Sequence, residues 1–128
     1  MPLLDVTEEN FADVVTGGGI VIVDCRCRTK RPSKTFAPVF ERVAGRHSKH
    51  VFAKLDTQKE KSLVKDLEIE HIPALLLYRD GLLLFKQPGY YEEEELDGIV
   101  RQAESLDMDE VRAGVEKEAS AEKPNNSG

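Results

Sequence analysis

Ile20-Val21-Ile22-Val23-Asp24-Cys25-Arg26-Cys27-Arg28-Thr29-Lys30-Arg31-Pro32-Ser33 is the stretch on which the fold turns. Its first four residues form an unbroken β-branched run, which suits a strand buried on both faces in the middle of a partly parallel sheet. One acid follows, then two cysteines a residue apart, then a basic loop. From Pro32 onward Phe36, Val39, Phe40, Val43 and Ala44 recur at helical spacing. Pro38 lies inside that helix, where it removes a backbone donor and should kink the axis.

Upstream, Thr7 is placed to cap a helix carrying Phe11, Val14 and Val15, and Gly17-Gly18-Gly19 ends it. Downstream, Val51 to Leu55 reads as a strand, and Leu63, Val64 and Leu67 mark a short helix. Ala74 to Tyr78, the turn Arg79-Asp80-Gly81 and Leu82 to Lys86 form a hairpin. Leu96, Ile99, Val100 and Ala103 share one face of a last core helix, and Met108, Val111 and Val115 extend the helical signal weakly. The order is α-β-α-β-α-β-β-α, with a short strand at Leu3-Leu4. The expected organisation is a domain over 1–106, a helical extension over 107–119 and a disordered tail over 120–128.

The chain has 128 residues and 14.3 kDa. A single domain of that size buries about two-thirds of its unfolded surface and folds without a metal or disulfide staple. Its 18 Lys and Arg against 24 Asp and Glu give a net charge of -6. An acidic chain lacks the basic field that nucleic-acid binding requires. No stretch approaches the roughly 20 apolar residues of a membrane span. The acidic opening has no secretory leader pattern, and two cysteines make no disulfide framework, so the expected location is the cytoplasm.

With these elements in this order, the chain resembles thioredoxin over roughly residues 5 to 105. The resemblance rests on Val6-Thr7-Glu8-Glu9-Asn10-Phe11, on the run ending at Asp24, and on the helix around Ala37-Pro38. It continues through Ala53-Lys54-Leu55-Asp56, Ile72-Pro73-Ala74 with the strand after it, and Gly89 before the last helix. It implies an α/β/α three-layer sandwich with a central mixed sheet and a cis-proline loop at Pro73. It further implies a peptide groove at Ile72, Pro73 and Gly89, and a buried pair between Asp24 and Lys54.

The family's Trp-Cys-Gly-Pro-Cys corresponds here to Thr29-Lys30-Arg31-Pro32-Ser33. Lys30 and Ser33 take the places of the nucleophilic and resolving cysteines, and neither side chain can exchange a disulfide. The reading that follows is a redox-inactive protein-binding or chaperone-like module, in which Asp24 and Lys54 are structural. Against it stands a thiol–disulfide oxidoreductase, in the family's role of cell redox homeostasis, that uses Cys25 and Cys27.

In a regular strand those two residues point to one face about 6.6 Å apart along the chain. A disulfide wants Cβ atoms about 3.8 Å apart, and both thiols are expected away from the helix N-terminus that activates the family's cysteine. Buried free cysteines also serve as small hydrophobes. Arg26 and Arg28 nevertheless favour thiolate.

Arg26, Arg28, Lys30, Arg31 and Lys34 gather five cations where there is no acid, against 13 basic and 24 acidic residues elsewhere. The expected partner is a protein or acidic peptide at residues 26–34, bound by a monomer, with no nucleic acid or membrane. A solvated charged loop without a ligand is the competing reading. His47, His50 and His71 are scattered, so neither a metal nor another cofactor is expected.

Overall fold

The computed structural model describes residues 3–127, with side chains over 3–117. Five strands make one sheet: β1 (Leu4–Asp5), β2 (Ile20–Arg26), β3 (Val51–Asp56), β4 (Ala74–Arg79) and β5 (Leu82–Pro88). Their spatial order is β1-β3-β2-β4-β5. The central strand β2 runs parallel to β3, from Val21 opposite Val51 to Arg26 opposite Asp56. It runs antiparallel to β4, from Ile20 opposite Arg79 to Cys25 opposite Ala74. The sheet is therefore mixed, and the β-branched run lies at its centre because only there are both strand faces covered.

Helices close both faces. Val21, Val23 and Cys25 point to a core that includes Val15 of α1 (Phe11–Val15) and Leu63 of α3 (Lys61–Asp66). Ile20 and Ile22 point to the other core, with Phe36, Phe40 and Val43 of α2 (Arg31–Arg46) and Leu96 and Val100 of α4 (Glu93–Ser105). Phe40 is fully buried and meets Phe36 and Phe52 at ring centroid distances of 5.9 and 5.4 Å. The architecture is the three-layer α/β/α sandwich that the element order implies.

The β4–β5 hairpin turns on Asp80 and Gly81, whose φ angles are 52° and 83°. A two-residue turn with both φ positive matches the twist of the strands it joins. The Ile72–Pro73 peptide before β4 is cis.

The chain ends in α5 (Met108–Ser127), so a helix occupies the backbone where the sequence leads one to expect a tail from residue 120. Residues 116–123 are Glu, Lys and Ala with one Ser, and the first three are good helix formers, so local propensity favours helix over that stretch. Gly128, the last residue of the expected tail, lies outside the described residues. Among the described residues no helix is long and apolar enough to cross a membrane.

Candidate functional site at the carboxyl end of the central strand

Strand β2 stops at Arg26, and this ending separates the two cysteines. Cys25 is the last inward-facing residue of the strand, with no exposed surface, in the core shared with Val23, Leu55, Ala74 and Leu76. Burial pushes its thiol far above the ordinary value, and the charge of Asp24 pushes in the same direction, only partly offset by Lys86. An uncharged thiol in that place packs as a small hydrophobe.

Cys27 lies beyond the strand, in the turn that its carbonyl closes by accepting the Lys30 N–H at 3.0 Å. Its own N–H donates to the buried Ser33 hydroxyl at 3.1 Å, tying the turn to the first turn of α2. The Thr29 hydroxyl stands 3.1 Å from Cys27 Sγ. That hydroxyl is the main cause holding the Cys27 thiol below the ordinary value, followed by the Thr29 amide and then by the amide and charge of Lys30. Both cysteines are free. Cys27 thus sits at the N-terminus of α2, contrary to the expectation that both thiols lie away from it. The expectation extended the strand by one residue too many; β2 ends at Arg26, and the turn that follows re-aims the Cys27 side chain.

A pocket of about 120 Å³ opens beside the Cys27 thiol, lined by Arg26, Arg28, Ser33, Lys34 and Ala37. Lys30 caps α2, and Arg31 and Pro32 begin it, all three exposed along with Arg28, Thr29 and Lys34. Of the five loop cations, Arg26 is turned inward: its Nε donates to Asp24 Oδ2 at 2.9 Å, and its Nη2 makes an ion-pair contact with the same oxygen at 2.6 Å. Asp24 is fully buried, and its Oδ1 has no hydrogen-bond partner among the described residues. Burial raises its pKa from 3.8 to about 6, against the lowering effect of Arg26.

The expected pairing of Asp24 with Lys54 is therefore corrected. The two residues are register neighbours across β2 and β3, but Lys54 Nζ lies 3.7 Å from Asp5 Oδ1 and its side chain is 38% exposed. An ammonium keeps its hydration by reaching outward, whereas the Arg26 fork can meet a carboxylate with less loss of solvent. On the neighbouring strand ends, Ile72 is half-buried and Pro73 buried. The Pro73 carbonyl accepts the Gly89 N–H at 2.7 Å, so the residues expected to form the groove are brought together.

The chain matches the Thioredoxin family over residues 2–102. A relative described as putative thioredoxin 2, from Streptomyces coelicolor, is 38% identical over 119 residues, spanning 92% of this chain and 89% of that one. A thioredoxin of Staphylococcus saprophyticus is 32% identical over 101 residues, covering 78% and 96% of the two chains. Among solved structures, a mutant thioredoxin from Halobacterium salinarum superposes with a TM-score of 0.74 at 23% identity, over 81% of this chain and 92% of that one. This kinship, with cysteines at 25 and 27, points to thiol–disulfide chemistry and overturns the redox-inactive reading. That reading gave the Lys30 and Ser33 replacements more weight than the two cysteines and took both thiols to be strand residues. The chain belongs to the thioredoxin family.

Proposed function

We propose that the protein is a thiol–disulfide oxidoreductase in which Cys27 is the reacting thiol. The observation that carries this reading is the Cys27 environment: a thiol at the start of α2, beside Thr29 and the basic pocket, with its pKa lowered. The thiolate is the nucleophile of disulfide exchange, and helix N-termini and nearby cations are what favour it.

In the proposed reaction, Cys27 thiolate attacks one sulfur of a disulfide, forming a Cys27–S–S–R bond and expelling the other half as a thiolate. A second, external thiol then attacks the R sulfur, releases the substrate half as a new disulfide and returns Cys27 as thiolate. The external thiol supplies the electron pair and is oxidised as the substrate is reduced. Lys30-Arg31-Pro32-Ser33 offers no second thiol in place of the family's cysteine pair, and Cys25 is held protonated in the core. Ser33 fixes the Cys27 backbone in this scheme, and Asp24 remains a structural acid.

Residues 1–106 form the reacting domain in this reading, and residues 107–119 extend it. The exposed cations of loop 26–34 receive an acidic partner, with Ile72, Pro73 and Gly89 as its backbone groove. A reducing compartment such as the cytoplasm supplies the external thiol.

The test is reduction of a small mixed disulfide with excess low-molecular-weight thiol, monitored for the parent, Cys25→Ser and Cys27→Ser. Loss of activity in Cys27→Ser, with Cys25→Ser within about twofold of the parent, is the expected result. Equal loss in both variants would replace the single-thiol scheme by a Cys25–Cys27 pair. Full activity in Cys27→Ser would overturn the assignment of the reacting thiol.

A further inference from the structure

His47 follows the last turn of α2, His50 stands just before β3, and Glu104 lies in the last turn of α4. These positions are far apart in sequence and meet at the end of the sheet where β2 begins, opposite the end that carries Cys27. One donor atom from each residue lies within 4.8 Å of the others. The imidazoles stack with centroids 6.0 Å apart and planes 18° apart. Both rings are nearly covered, with side-chain exposures of 12% and 11%.

We infer that His47, His50 and Glu104 form a site for a divalent transition-metal ion of the zinc class. Two imidazoles and a carboxylate are the donor set that borderline ions such as Zn²⁺ and Co²⁺ prefer over Mg²⁺ or Ca²⁺. His50 Nε2 lies 2.7 Å from Glu104 Oε2, so an ion would enter where that hydrogen bond now runs. Metal–ligand bonds of about 2.0–2.1 Å set tetrahedral donors about 3.3 Å apart, so His50 and Glu104 open slightly while the His47 nitrogen draws in, by small rotamer changes.

The surroundings support such a site. Asp97 Oδ1 stands 2.6 Å from His47 Nε2, the kind of carboxylate contact that orients a metal-binding imidazole. The backbone under Glu104 is anchored, because Arg79 Nη1 donates to the carbonyls of Ala103 at 2.7 Å, Glu104 at 3.3 Å and Leu106 at 3.1 Å. An open cleft lined by Gly19, Ile20, Lys49, His50, Arg79 and Glu104 adjoins the cluster. Three protein donors beside open space leave the fourth position of a tetrahedral ion to water or to a ligand. Lys49, 3.7 Å from Glu104 Oε2, is 77% exposed and swings out when an ion takes its place.

The experiment titrates Co²⁺ and Zn²⁺ into a Cys25→Ser/Cys27→Ser background, which removes the thiols as competing donors. Calorimetry and the visible absorption of Co²⁺ report binding. One equivalent should bind, and His50→Gln or Glu104→Gln should weaken it by about tenfold or more, with His71→Gln unchanged. Ring NMR signals of the unsubstituted protein give a readout that does not depend on variant folding: His47 and His50 should shift with one equivalent of Zn²⁺ while His71 does not. Absence of stoichiometric binding overturns the inference, as does binding that survives both substitutions or shifts spread equally over the three histidines.

Discussion

Folding shifts the ionisation of Cys27 and of Asp24 in opposite directions, the thiol downward and the carboxyl upward. The Thr29 hydroxyl, 3.1 Å from Sγ, stabilises the charged thiolate by donating to it. Thr29→Val removes that donor while keeping the shape, so the pH profile of Cys27 alkylation should move upward and the rate at neutral pH should fall severalfold. An unchanged profile would show that the Lys30 amide and charge suffice. Asp24 is a buried acid that is difficult to ionise: its pKa rises from 3.8 to about 6 on folding. Between those values the folded protein holds a proton that the unfolded chain has lost. Stability is therefore undiminished below the lower value, falls as pH rises through the window and stays reduced above it. The effect is on the order of 3 kcal/mol at most. Asp24→Asn cannot ionise, so urea denaturation should show it gaining by that order relative to the parent between about pH 4 and pH 8. A constant difference across that range would mean that Arg26 fully compensates the buried charge.

At the scale of elements, the position of α2 decides where Cys27 and the basic loop lie. The helix is held to the sheet chiefly by Phe36 and Phe40, both buried, with Phe40 against Phe52 of β3. Phe40→Ala would open a cavity there and should cost about 3–5 kcal/mol in urea denaturation. A loss under about 1 kcal/mol would show that the site collapses around the smaller residue. The far end of α2 is joined to α4 by ion pairs of Arg42 and Arg46 with Glu93. Those pairs are exposed, and each contributes only about 0–1 kcal/mol, so the aromatic contacts dominate the docking of the helix.

Across the whole molecule, charge is unevenly spread. Residues 26–34 carry five cations and no acid, while the net charge is -6. Arg26 is engaged with Asp24, which leaves four exposed cations around the Cys27 pocket. An anionic small disulfide should therefore react faster than a cationic one of the same reduction potential. The difference should shrink as salt rises past about 0.1 M, where screening acts over about 10 Å. Equal rates for the two disulfides at low salt would remove the basic loop from substrate selection.

The layered fold was legible in the sequence because its signals are local and repeated. A β-branched run needs two covered faces, helical spacing in residues 36–44 needs a core to face, and Asp80-Gly81 needs a tight turn. The tertiary structure decided what depends on where the strand stops and which distant groups meet. Strand alternation gives Cys25 and Cys27 the same face, yet β2 ends at Arg26, and the turn carries Cys27 to the start of α2. Asp24 finds its counter-charge two residues along its own strand rather than on Lys54, because the neighbouring ammonium reaches water. His47 and His50 appear scattered in the chain, and Glu104 joins them only when α4 packs across α2. Spacing along a strand or helix follows from backbone geometry alone, but the approach of side chains from different elements follows from packing, and packing has no local signature.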